Sequence, residues 1–207
     1  DVPSPLRFAY GWFHVWQTSA TPYSRDDYIA RERAIVLAYE RYQHEGLLTS
    51  AMGLADFVTA RIKHFGVYDT FYHSPLTEPY SGGPLPEREQ AMLANPPAGV
   101  FIDCLHFDPP FFASLARVTG EARWKTEAIE QAEGYVGALQ QESGLFHHFV
   151  LRDFPGESFG PGWGRGQGWA LLGLLDVVAQ LGLGPSSSLG TAATRFINAM
   201  LPLQRDD

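Results

Sequence analysis

The strongest constraint in this chain is a recurring pattern of apolar residues at helical spacing, cut by short turns. From Glu121 to Gln141, Trp124, Ala128, Ala132, Tyr135, Val136 and Leu139 fall on one helical face. Just before it, Asp108 to Val118 reads as a second helix. Asp108 stands at its cap, Pro109 and Pro110 in its first turn, and Thr119-Gly120 stops it. Earlier, Asp26 to Gln43 sets Ile29, Ile35, Val36, Tyr39 and Tyr42 behind a cap at Ser24 or Asp26. Leu47 to His64 follows across a short link, with Leu47, Leu48, Met52, Leu54, Ala55, Val58 and Ile62 as its apolar side. These two read as an antiparallel pair. Trp169 to Leu181 is apolar nearly all round, which at that length predicts a helix buried on most sides. Leu189 to Leu203 gives one more amphipathic helix.

Between these stretches the pattern breaks. Residues 66–99 carry no clear periodicity apart from room for a short helix around Pro86 to Ala94. LFHHFVLRDF alternates and allows a short extended segment, followed by a Pro/Gly-rich loop to Gly168. Helix, tight turn, helix and loop thus repeat roughly every 40 to 60 residues, the signature of stacked helical hairpins in an all-α fold. There is no parallel βαβ series, dinucleotide glycine fingerprint, Walker loop, zinc-spaced Cys/His cluster or HExxH sequence.

At 207 residues the chain is long enough for one sizeable core and is expected to form a single domain over residues 1–207. A formal net charge of -8 argues against a nucleic-acid partner, which would need a basic face, and any anion must be held by local donors. No run reaches the roughly twenty apolar residues of a membrane span. No signal peptide is visible, but the sequence begins at Asp1, where a leader could have been removed. The expected compartment, cytoplasmic or secreted, stays open. Cys104 is the single cysteine, which excludes an internal disulfide; it sits in an apolar run, where a buried inert thiol is expected.

Chemistry concentrates between Val100 and Trp169. Asp103 is flanked by Phe101, Ile102, Cys104, Leu105 and Phe107. An acid there is partly desolvated, which suits proton donation near neutral pH; the plainer reading is a capping or loop acid, a part that Asp108 fills better. Arg165 lies among three glycines in Trp163-Gly164-Arg165-Gly166-Gln167-Gly168-Trp169. A glycine-rich turn there would let the backbone approach a ligand, and a guanidinium can hold a carboxylate with two hydrogen bonds. An ordinary surface ion pair remains the alternative for Arg165. Adjacent His147 and His148 lack acids at metal-ligand spacing, so they read first as solvated or hydrogen-bonded side chains; one of them as a donor to a sugar is a better reading than a metal ligand, and no metal is expected. Trp163 and Trp169 offer faces for a sugar ring, although both could be core and Trp169 reads more as core. Aromatic residues at 14% suit a large core as well as a carbohydrate cleft.

With these residues on view, IDCLHFDPPFFASLARVTGEARW, GLFHH and WGRGQGW resemble the signature stretches of the unsaturated glucuronyl and rhamnogalacturonyl hydrolases, glycoside hydrolase families 88 and 105. The likeness covers about residues 97–181 in the same order. It implies an (α/α)6 toroid, alternating inner and outer helices around an open cleft. It implies removal of a 4,5-unsaturated uronic acid from the non-reducing end of lyase-generated oligosaccharides, by hydration of the enol ether. On this resemblance the acid/base aspartate falls on Asp103. The sugar-contacting residues fall on His148, Trp163 and Arg165, with Trp169 and His147 as further candidates. No metal or organic cofactor is implied.

Some features depart from that pattern. A twelve-helix toroid at roughly 25 residues per helix and loop needs on the order of 300 residues. The last third would then be missing after Asp207 and the toroid incomplete or shortened, leaving homodimerisation, disorder or lost activity open. The family's second aspartate has no recognisable counterpart; Asp56 and Asp69 are the acids worth naming. Two other readings therefore stand beside the hydrolase. One is an inactive or sugar-binding fragment of the fold; the other is a different α/α-barrel sugar enzyme, an epimerase or a glycosidase with paired carboxylates.

Overall fold

The computed structural model describes residues 32–68, 87, 99–160 and 163–204. Six α-helices account for most of them: α1 (Glu32–Tyr42), α2 (Glu45–Thr59), α3 (Asp108–Thr119), α4 (Ala122–Leu139), α5 (Gly164–Gln180) and α6 (Ser188–Met200). Five short strands complete them: β1 (Lys63–His64), β2 (Val67–Tyr68), β3 (Gly99–Phe101), β4 (Phe149–Leu151) and β5 (Ser158–Phe159). The chain is all-α in class, built of helical hairpins. Among the described residues no helix is long and apolar enough to cross a membrane.

The helices pair in chain order, across links short enough to favour antiparallel neighbours. α1 packs on α2, α3 on α4, and α5 on α6. Further contacts of α3 with α1 and α5, and of α4 with α6, join the pairs. One core cluster lies where α1, α2 and α3 meet the start of α4, and holds Val36, Leu47, Leu54, Phe111, Phe112, Leu115 and Trp124. Phe112 and Trp124 stack there with ring centroids 5.6 Å apart. A second cluster gathers Ile102, Leu105, Tyr135, Leu139, Phe146, Leu174, Val177 and Phe196 between α4, α5 and α6.

Several boundaries differ from the sequence expectation. Of the first predicted helix, Glu32–Tyr42 is described; its start, with Ser24 and Asp26, lies outside the described residues. The predicted short helix around Pro86 to Ala94 lies outside them except for Glu87. α2 ends at Thr59 rather than His64, where the Thr59 hydroxyl donates back to the Ala55 carbonyl at 2.9 Å. The chain then reverses through Phe65 and Gly66, both at positive φ (53 and 85), so that β1 pairs antiparallel with β2. Ile62, expected on the apolar side, is 65% exposed as a result.

Asp108 is not the cap of α3. Phe107 takes that place without a side-chain capping bond, and Asp108 is the first helical residue, buried in the protein. The sequence 163–168 is not a loop: α5 begins at Gly164, with Trp163 as its N-cap. Nor is α5 buried on most sides, since Leu172 is 52% and Leu175 41% exposed. Its inner face carries small and polar residues instead, Gly166, Gln167, Ala170 and Gly173 beside Leu174 and Val177.

Candidate active site

Three segments meet at one place. The first is the 3-10 turn Ile102–His106, which follows β3 and leads into α3. The second is the run into β4, where burial alternates: Phe146, His148 and Val150 are buried, while Leu145, His147 and Phe149 are partly exposed. That is the period-two pattern of an extended strand. The third is the first turn of α5.

The main chain ties these segments before any side chain acts. β4 pairs antiparallel with both β3 and β5. At the end of this sheet, Ile102 N–H donates to the His148 carbonyl and His148 N–H donates to the Phe159 carbonyl, each at 2.8 Å. The turn bearing Asp103 is thus fastened to the strand bearing His148. α5 reaches the same turn because two of its inner residues have no side chain. A Cβ at Gly173 would overlap the Leu105 carbonyl oxygen and lie 2.7 Å from its carbon. A Cβ at Gly166 would overlap the Trp163 ring and come within 3.0 Å of Ile102 Cγ2. Helix and turn can approach this closely only with glycine at both positions.

Four of the sequence-predicted residues form a continuous series. Asp103 Oδ2 lies 3.5 Å from His148 Nε2, longer than an ordinary hydrogen bond. This oxygen is shielded from solvent and has no hydrogen-bond partner among the described residues. The Asp103 side chain is nevertheless 31% exposed, so its remaining atoms face outward. The His148 ring sits 4.1 Å from the Trp163 ring, centroid to centroid, and meets Phe149 edge-on at 5.1 Å. The Arg165 guanidinium lies over the Trp163 ring at 4.7 Å, itself exposed to solvent. The arrangement is an acid with one dry oxygen, an imidazole, an indole and a cation, in that order.

His147 and Trp169 stand apart from it. His147 has the opposite parity from His148; its N–H donates to the Leu139 carbonyl at 2.9 Å, and burial lowers the proton affinity of its ring. Trp169 is six residues along α5 from Trp163, about 240° around the helix axis. It stacks on His106 at 4.9 Å and leans on Phe107 at 5.9 Å. Burial also lowers the proton affinity of His106, with Asp176 acting against that effect and Arg33 adding to it. Of the two acids considered as a second carboxylate, Asp56 is exposed on α2 and Asp69 lies outside the described residues.

Sequence reading missed Gln167. Its side chain is 4% exposed and meets one residue twice: Phe146 N–H donates to Oε1 at 2.9 Å, and Nε2 donates to the Phe146 carbonyl at 2.8 Å. The available signal was a polar residue on the inner face of an otherwise apolar helix, hidden by assigning residues 163–168 to a loop.

Comparison with known proteins follows the same outline. The family model of Glycosyl Hydrolase Family 88 matches residues 6–187. No curated protein matches the chain in sequence. Among solved structures it is similar to a glycoside hydrolase of family 105 from C. acetobutylicum ATCC 824, at 16% identity and a TM-score of 0.63, covering 87% of this chain and 47% of that one. It is similar to UGL, solved with dGlcA-Glc-Rha-Glc, at 17% identity and a TM-score of 0.66, covering 96% of this chain and 50% of that one. A family 76 α-mannanase from Bacteroides thetaiotaomicron gives a TM-score of 0.62 at 14% identity, covering 88% of this chain and 45% of that one. The chain spans about half the length of these structures. At such identities the likeness shows the fold, and an α-mannanase matching almost as well means that fold alone does not choose the reaction.

Proposed function

Since the chain belongs to Glycosyl Hydrolase Family 88, we propose that its Asp103 site removes a 4,5-unsaturated uronic acid from the non-reducing end of oligosaccharides left by polysaccharide lyases. The observation that carries this reading is the convergence of Asp103, His148, Trp163 and Arg165 from three separate segments.

The substrate's C4–C5 double bond is an enol ether, electron-rich enough to accept a proton at C4. Asp103, protonated, would donate that proton, leaving positive charge shared by C5 and the ring oxygen. The resulting carboxylate would then take a proton from a water molecule as its oxygen bonds to C5. The hydrated ring is a hemiketal; it opens, and the remaining sugar leaves from C1. One carboxyl group suffices for both proton transfers, so the scheme needs no opposing nucleophile. Asp103, with one oxygen against His148 and the rest of the side chain facing outward, suits this work.

The uronate carboxylate would be met by Arg165, whose guanidinium can bind it at two points. The first turn of α5 adds its own positive polarity there. Trp163 would cover the apolar face of the ring, and His148, beside Asp103, would donate a hydrogen bond to the sugar.

The test is the loss of ultraviolet absorbance from a panel of unsaturated disaccharides, pectin-derived, glycosaminoglycan-derived and ulvan-derived. Loss with the native chain and none with Asp103→Asn is expected. If folded protein leaves every member of the panel unchanged, hydration is refuted and a sugar-binding role takes its place.

A further inference from the structure

We propose that Gln167 is a positioning residue for His148, setting the direction of its imidazole against Asp103 and Trp163; the proposal rests on the reading of the site given above. Gln167 bonds both main-chain groups of Phe146 and sits in the second turn of the helix whose N-cap is Trp163. A side chain that both accepts from and donates to one residue acts as a neighbouring strand would, fixing the height and roll of the segment. Phe146 is two residues before His148 and shares its parity, so its roll contributes to the direction of the imidazole.

The other main-chain bonds of the segment run to different elements. His148 is tied through its main chain to Ile102 and Phe159, which join the strand to the Asp103 turn and to β5. Neither tie reaches α5. The Gln167 clamp does, and so relates the His148 ring to Trp163, 4.1 Å away. A space filler would not need to be polar, because a methionine occupies similar volume without burying an amide. The amide has its hydrogen-bonding groups committed to orientation.

Two near-isosteric variants separate positioning from filling. Gln167→Met removes both bonds. Gln167→Glu, when ionised, still accepts from Phe146 N–H but sets a carboxylate oxygen against the Phe146 carbonyl; when protonated it regains the missing donor. The measurements are near-ultraviolet circular dichroism for folding, imidazole nitrogen shifts of His148 assigned with His148→Gln, and kcat and KM on an unsaturated disaccharide. Both variants are expected to fold, to move the His148 shifts, and to lose about tenfold in kcat while KM changes by less than about threefold. In Gln167→Glu, shifts and the kcat ratio to the native chain should both recover as pH is lowered.

Folded variants with native His148 shifts would overturn the proposal, as would a change confined to KM. Loss of tertiary structure in both variants would overturn it too, making the clamp a determinant of the fold. If the native chain consumes no unsaturated disaccharide, the functional reading fails by itself, and the His148 spectra still decide whether Gln167 directs the ring.

Discussion

The α3–α4 hairpin and the junction of the Asp103 turn with α5 are neighbours built on opposite rules. In the hairpin, apolar side chains meet apolar side chains: Phe111, Phe112 and Leu115 pack with Trp124 and Ala128. The turn between the helices uses Gly120 in the left-handed region, as a helix end ordinarily does. At the junction, main chain approaches helix where side chains are missing, an amide replaces an apolar contact, and a carboxylate oxygen is buried with no hydrogen-bond partner among the described residues. Local preferences that agree with one another make the first region stable. The second sets several of them aside, which is expected where a protein holds reactive groups.

Substitutions can break this contrast. Asp103→Asn should give the largest effect, a fall of roughly 10²- to 10⁴-fold in hydration rate, with unfolding free energy within about 0.5 kcal/mol of native. Comparable activity, or a large loss of stability, would make Asp103 a structural acid. Phe112→Ala should do the reverse, costing about 3–5 kcal/mol in urea unfolding while the protein that remains folded keeps its kcat. If it lowers kcat as steeply as stability, the two regions are not separable.

Gly173→Ala has a diagnostic sign. In an open helix the change would stabilise by nearly 1 kcal/mol. Here the new methyl meets the Leu105 backbone, so a loss of about 1–3 kcal/mol is expected, together with reduced activity. A more stable protein would show that helix and turn can part without harm.

The smallest effect is in pH. Burial holds the His106 and His147 rings toward their neutral forms, so below the ordinary histidine value of about 6.5 the unfolded chain binds more protons than the folded one. Stability contributed by the neutral rings is therefore present above that value and declines as pH falls through the folded values. Urea midpoints measured from pH 8 to 5 should fall toward acid, and less steeply in His106→Phe. An equal slope would remove His106 from the account.

How far the sequence foretold all this depends on what each residue reports. Trp124, Ala128, Ala132, Tyr135 and Leu139 announce α4 because burial repeats with the helical period. Asp103, His148, Trp163 and Arg165 were legible by residue type and by resemblance, and the structure brings those four together. The start of α5 was not legible, since glycine in a linear sequence signals a turn and only the opposing backbone explains Gly166 and Gly173. Gln167 and Gln131 were silent for a related reason. Their partners are main-chain groups of distant segments: Phe146 for Gln167, and for Gln131 the N–H of Tyr68 at 3.1 Å. Asp108 misled, because the acid-proline-proline start marks the first turn correctly but does not say whether the acid caps it or is buried within it.

The close approach at Gly173 also bears on motion. Elements separated by side chains can slide by exchanging rotamers, which takes picoseconds to nanoseconds at exposed positions. Between Gly173 and the Leu105 peptide there are no rotamers to exchange. The Asp103 turn and α5 should therefore travel as one rigid block.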